Sequence, residues 1–200
     1  SMLLRQNYHN LGMVYMAQRR LGLAETTLRR AAAIEGTSRL GELKRRGVPM
    51  DAELETAVRD YGLHELGHVY LMRGQARQAE EIYRRSMAAI ELMEGPGNLL
   101  AVGCREDLAD ACLAQGKLRE ARGLCERALA VREELAGKDH PAVAKALVDL
   151  AGLYRAEGDL AAAGRLLDRA MAIFEKAFGQ EHLYTAMAAL QRAMASMSPV

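Results

Sequence analysis

Apolar residues recur along this chain at helical spacing and, over a longer range, at a fixed interval. Leu66, Leu108 and Leu150 stand 42 residues apart, inside HELGHVY, DLADAC and DLAGLY. Gly95, Gly137 and Gly179, which open GPGN, GKDH and GQEH, keep the same interval. A period shared by turn residues and apolar positions is the mark of a repeat architecture, and 42 residues hold two helices of about five turns each with two short connections. In the best-formed copy, 140–181, the pattern predicts helix A from Pro141 to Glu157 and helix B from Leu160 to Phe178, joined by Gly158 and Asp159. Pro141 suits a first helical turn, His140 or Asp139 can cap it, and Gly179 suits the left-handed residue that ends a helix.

The other copies align on this one. Small residues mark close helix approach: Gly12, Gly67, Ala109 and Ala151 on the A helices, and Ala24, Ala79, Ala121 and Ala163 on the B helices. Leu11, Leu66, Leu108 and Leu150 precede the first set, and Tyr15, Tyr70, Cys112 and Tyr154 follow it. Leu28, Tyr83, Cys125 and Leu167 are expected to face them from the B helices. Repeat units are thus expected at 1–36, 56–97, 98–139 and 140–181. Between the first two lies a basic insertion, 37–55, with further helix near Leu40 to Arg46, a loop at Gly47 to Met50 and a cap at Asp51. Residues 182–200 are expected to form a solvating C-terminal helix, with Arg192 at the core-leucine position, and a frayed tail, SMSPV.

The segments DHPAVAKALVDLAGLYRAEGDLAAAGRLLDRAMAIFEKAFG, NLGMVYMAQRRLGLAETTLRRAAAIE and ELGHVYLMRGQARQAEEIYRRSMAAIE resemble the tetratricopeptide repeat family, in its 42-residue form found in kinesin light chains. Ser86 and Cys112 depart from the family pattern, standing where the other copies carry Ala and Tyr. The fold expected is all-α: a right-handed superhelical solenoid of antiparallel helix pairs, with about four units and a capping helix. The resemblance implies that the A helices line a concave surface that holds extended or helical peptides.

Composition agrees with an all-helical chain. Half of the residues are hydrophobic, Trp is absent and Phe occurs twice. A formal net charge of +1 gives no general affinity for nucleic acid or membrane, and the basic run at Lys44, Arg45 and Arg46 reads as a solvated face. Three cysteines, Cys104, Cys112 and Cys125, without CxxC spacing, read as reduced thiols of a cytoplasmic protein. Ser1 ahead of Met2 reads as a remnant of tag removal, which leaves open whether the chain is a fragment of something longer.

One motif carries chemistry. His64 to His68, HELGH, matches HExxH, in which two histidines one helical turn apart bind zinc and the glutamate acts as base. The repeat itself explains Leu66, Gly67 and a polar residue at position 64, because HNLGM occupies the same place in the first copy. Repeat arithmetic sets His64 and His68 opposite Glu106 and Asp110, which makes either a metal site or two histidine–acid pairs. No metal or other cofactor is assigned on this basis. A glycine-rich phosphate loop, a strand and a nucleophile elbow are all missing from the sequence pattern, so no enzyme is expected.

Positions two before and two after the core leucine turn away from the helix pair. With the residue three further on they form a stripe on each A helix: His9, Met13 and Met16; His64, His68 and Leu71; Glu106, Asp110 and Leu113; Val148, Gly152 and Arg155. Gln6, Tyr61 and Lys145, one turn earlier, join it. The function expected is a protein-interaction scaffold that binds a peptide or protein segment along this stripe. The alternative is a sensing domain of a larger bacterial signalling protein.

Overall fold

A computed structural model describes residues 2–95 and 97–196. Its helices follow one another as α1 (Met2–Ala17), α2 (Leu21–Arg45), α3 (Ala52–Asp60), a single 3-10 turn (Tyr61–Leu63), α4 (His64–Met72), α5 (Ala76–Glu94), α6 (Leu99–Leu113), α7 (Leu118–Ala136), α8 (Pro141–Ala156), α9 (Leu160–Phe178) and α10 (Leu183–Ser196). The described residues contain no strand. No helix among them is long and apolar enough to cross a membrane. The chain divides into two compact units, 1–115 and 116–200.

In the first unit α1 packs on α2, α4 on α5, and α5 on α6, while α2 also receives α3 and the 3-10 turn. Tight approach comes from the small residues the pattern singles out: Gly12 and Gly67 are buried, and Ala24 and Ala79 are fully so. Tyr61, Ala89, Ile90, Ala101 and Cys104 form one apolar cluster between α5, α6 and the 3-10 turn. In the second unit α8 packs on both α7 and α9, and α9 on α10. Val143, Leu147, Ile173, Phe174 and Ala188 form one cluster there, and Ala151, Ala163, Leu167 and Ala195 another.

Turn chemistry repeats with the period. Asn98 and His140 accept hydrogen bonds from the backbone N–H groups of Leu100 and Ala142, at 2.7 and 3.1 Å, and so cap α6 and α8. His182 is bonded in the same way by the Tyr184 N–H, at 3.3 Å. The turn inside each later helix pair passes through a left-handed glycine, Gly74, Gly116 or Gly158, with φ of 74, 74 and 86°. Arg19 takes that place in the first pair with φ of 58°, a conformation that a side chain disfavours.

Three expectations need correction. The insertion is mostly continuous helix: α2 runs on to Arg45, past Gly36, where the chain crosses so close to α3 that a β-carbon on Gly36 would lie 3.0 Å from the Arg59 Cα. Asp51 does cap the next helix, accepting from the Leu54 N–H at 2.7 Å, but that helix is split by the 3-10 turn before His64. Second, Leu66, Leu108 and Leu150 are buried whereas Leu11 is 40% exposed, because α1 has no preceding helix pair to cover that face among the described residues. Third, α10 is not polar on its outer side. Leu183, Met187, Leu190 and Met194, spaced at one helical face, all stand about half exposed or more. Arg192 lies over Gly164 and bonds Asp168 at 2.7 Å, so the charge at the core-leucine position is paired on α9. Of the tail expected to fray, SMSPV, Ser196 ends α10, while residues 197–200, and Ser1, lie outside the described residues.

Candidate functional site

The stripe residues of the first unit separate into surface and core. Gln6, Met13, Asp110 and Leu113 are exposed, and His9, His64, His68, Leu71 and Glu106 are half-buried. Met16 is buried instead, because it stands four residues after Gly12 and so shares the face that packs on α2. Tyr61 is buried as well. Its ring lies under the Arg39 guanidinium, 3.7 Å from the centroid, and its hydroxyl donates to Glu94 at 3.2 Å. Tyr61 opens the 3-10 turn between α3 and α4 and packs with Ala89, Ile90, Ala101 and Cys104.

The acid that meets the histidines is Asp107, from α6, rather than Glu106 or Asp110. Its Oδ2 lies 2.5 Å from His64 Nε2 and 3.6 Å from His68 Nε2. His68 Nδ1 pairs with the Tyr83 hydroxyl at 3.0 Å, and His64 Nδ1 faces Glu65 Oε1 at 3.8 Å. The two imidazoles stand edge to face with centroids 5.1 Å apart. Burial, the largest influence on His64, opposes its charge. Hydrogen bonding to Asp107, and then to Cys104 and Glu65, outweighs it, and the His64 pKa is pushed up to about 12. The same contact with His64 holds the Glu65 carboxyl below its ordinary range. Burial, with Asp107 and Glu65 nearby, pushes the Tyr83 hydroxyl well up, so it remains a neutral donor or acceptor.

In the second unit, Lys145 and Arg155 are exposed and Val148 and Gly152 half-buried along α8. Lys145 pairs with Asp149 at 3.0 Å, one turn on. Beside them is a cleft of about 390 Å³ between α8 and α10, floored by Phe174 and Phe178 of α9 and walled by Val148, Tyr184 and Met187. Phe178 stacks on His182 with centroids 4.6 Å apart, and Phe174 on Tyr184 at 5.5 Å. The B-helix and α10 members of this site were not legible from A-helix arithmetic. The signal for them is the run of rings Phe174, Phe178, His182 and Tyr184, spaced four, four and two residues apart.

Tetratricopeptide repeat profiles match residues 104–176, 143–195 and 6–37. The chain belongs to the tetratricopeptide repeat family. Solved structures agree with this tetratricopeptide repeat fold. A kinesin-light-chain-like protein of Podosopora anserina, with nearly identical TPR-like repeats, superimposes with a TM-score of 0.76 at 24% identity, covering 95% of this chain and 84% of that one. The apo form of RapI gives 0.68 at 18% identity over 96% of this chain and 62% of its own. BtubC (BKLC) from P. vanneervenii gives 0.55 at 16% identity, covering all of this chain and 92% of its own. These likenesses establish the helix-pair architecture. No curated protein matches the sequence.

Proposed function

We propose that this tetratricopeptide repeat protein is a non-enzymatic interaction module that takes a segment of another protein against its A helices. Support comes first from the family, whose repeats serve as protein-interaction scaffolds. The observation that carries the reading is the cleft between α8 and α10. Its size is that of a ligand pocket, and aromatic and aliphatic side chains line it, with Lys145, Asp149 and Gln191 at the rim. Such a site favours a peptide that inserts a large apolar side chain and offers backbone amides and carbonyls to the polar rim. In the first unit the stripe members Met13, Asp110 and Leu113 are exposed, a mixed surface of its own in which methionine gives adaptable contacts.

The test is a display selection of random peptides on the whole chain, followed by calorimetric titration of the enriched sequence. Met187 is 48% exposed on the cleft wall, so Met187→Glu alters the site without entering the core. An apolar-anchored peptide whose affinity falls at least tenfold with Met187→Glu supports the reading. Failure to enrich any peptide, or equal binding by the variant, overturns it.

A further inference from the structure

The histidine cluster on α4 and α6 belongs to the first unit and the α8–α10 cleft to the second, and the cluster's geometry serves a different chemistry. His64 and His68 are one helical turn apart on α4, and both turn Nε2 toward the same oxygen of Asp107. Ligand atoms of His64, Glu65 and His68 all fall within 4.8 Å of one another. Each ring nitrogen that does not face Asp107 has a partner: the Tyr83 hydroxyl on His68 Nδ1 and the Glu65 carboxylate beside His64 Nδ1. The cluster is also reachable, since the side chains of His64, His68 and Asp107 are 27, 33 and 23% exposed.

We infer that His64, His68 and Asp107 form a binding site for a divalent transition-metal ion, with zinc as its best fit. Two imidazoles and one carboxylate suit zinc in both softness and number, and leave a fourth position for solvent on the exposed side. Zn–N and Zn–O distances near 2.0–2.2 Å at tetrahedral angles put ligand atoms about 3.3 Å apart. His68 Nε2 already stands 3.6 Å from Asp107 Oδ2. His64 Nε2, at 2.5 Å, has to retreat by about 0.8 Å, and the proton it shares with Asp107 leaves as the metal enters.

The surroundings fit as well as the ligands. Tyr83 is fully buried, so its hydroxyl is a fixed point that holds His68 with Nε2 outward. The Glu65 carboxylate stands 3.8 Å from His64 Nδ1, beside the ring nitrogen that does not face Asp107. Asp107 is the residue that Glu106 and Asp110 were expected to provide. It stands on the α6 face turned to α4, three residues after the buried Cys104.

The site is tested on the whole, tag-free chain after stripping with chelator, by titrating zinc chloride calorimetrically and recording the visible spectrum with cobalt. The expected result is one zinc per chain, a melting temperature that rises with zinc concentration, and a tetrahedral cobalt spectrum. Asp107→Asn and His68→Gln, each checked for native helicity in chelator, should abolish stoichiometric uptake. Tyr83→Phe should keep the stoichiometry and weaken affinity about 10–100-fold, as loss of a partner behind a metal-bound histidine does. If zinc uptake is no greater than that of the His64→Gln, His68→Gln double variant, or survives Asp107→Asn unchanged, the inference is overturned and the cluster is a histidine–aspartate ion pair.

Discussion

Gly67 of α4 and Tyr83 of α5 meet so closely that a β-carbon on the glycine would lie 2.3 Å from two ring carbons of the tyrosine. The ring has no exposed surface, and its hydroxyl is tied to His68, so it has little room to yield. Overpacking of this kind costs about 1–3 kcal/mol, against a helix-propensity gain of about 1 kcal/mol for alanine over glycine. Gly67→Ala should therefore lower the urea unfolding free energy and shift the His68 ring resonances. Gly152→Ala, where nothing lies within 4 Å of the added carbon, should raise stability by roughly 1 kcal/mol.

Leu150 is 3% exposed at the core position that defines the period. Leu150→Ala should cost about 2–5 kcal/mol in chemical denaturation, the range for a buried leucine that leaves a cavity. A change below about 0.5 kcal/mol would place the side chain at the surface and refute the register.

Arg19 holds a left-handed backbone at the joint where the later helix pairs use glycine. Relief of about 1–2 kcal/mol of local strain outweighs the extra chain entropy of glycine, which is about 0.5–1 kcal/mol. Arg19→Gly should accordingly raise the unfolding free energy by about 0.5–1 kcal/mol, read from the denaturation midpoint.

Glu25 gives a pH signature. Burial would raise its pKa, but hydrogen bonds from Arg73, Arg29 and Tyr70 prevail and hold it below its ordinary 4.5. A carboxyl whose folded pKa is depressed adds stability that is complete above the unfolded value and is lost as pH falls through the folded one. Glu25→Gln should thus be less stable than the parent at pH 7, and the gap should close in acid below pH 4.5. A gap that does not change between those conditions would mean that the network with Arg73 at 2.5 Å does not form.

The sequence made the helix pairs legible because turn chemistry and core spacing repeat together. His140, Gly158 and Gly179 mark the ends of α8 and α9 as expected, and Leu66, Leu108 and Leu150 are buried as the pattern requires. The site was less legible, for identifiable reasons. Equal repeat positions were assumed to face each other, which pointed to Glu106 and Asp110, but packed helices cross at an angle and α6 meets α4 at Asp107 instead. Tyr61 lies in a 3-10 turn and is buried, and that turn leaves no mark in apolar spacing. Leu11 follows the core pattern without the neighbour that makes that pattern a core.

The left-handed joints have a consequence for how such a chain can change length. Gly95, Gly137 and Gly179 close successive B helices at φ of 88, 85 and 90°, with the capping residues Asn98, His140 and His182 three positions on. Each joint is thus set by its own few residues. A block excised at one such joint and copied in at another arrives with backbone directions already matched at both cuts. Gene-level duplication in steps of one period is therefore the least disruptive way to lengthen this protein, while an insertion of any other size must rebuild a joint, as the run-on of α2 through Gly36 illustrates.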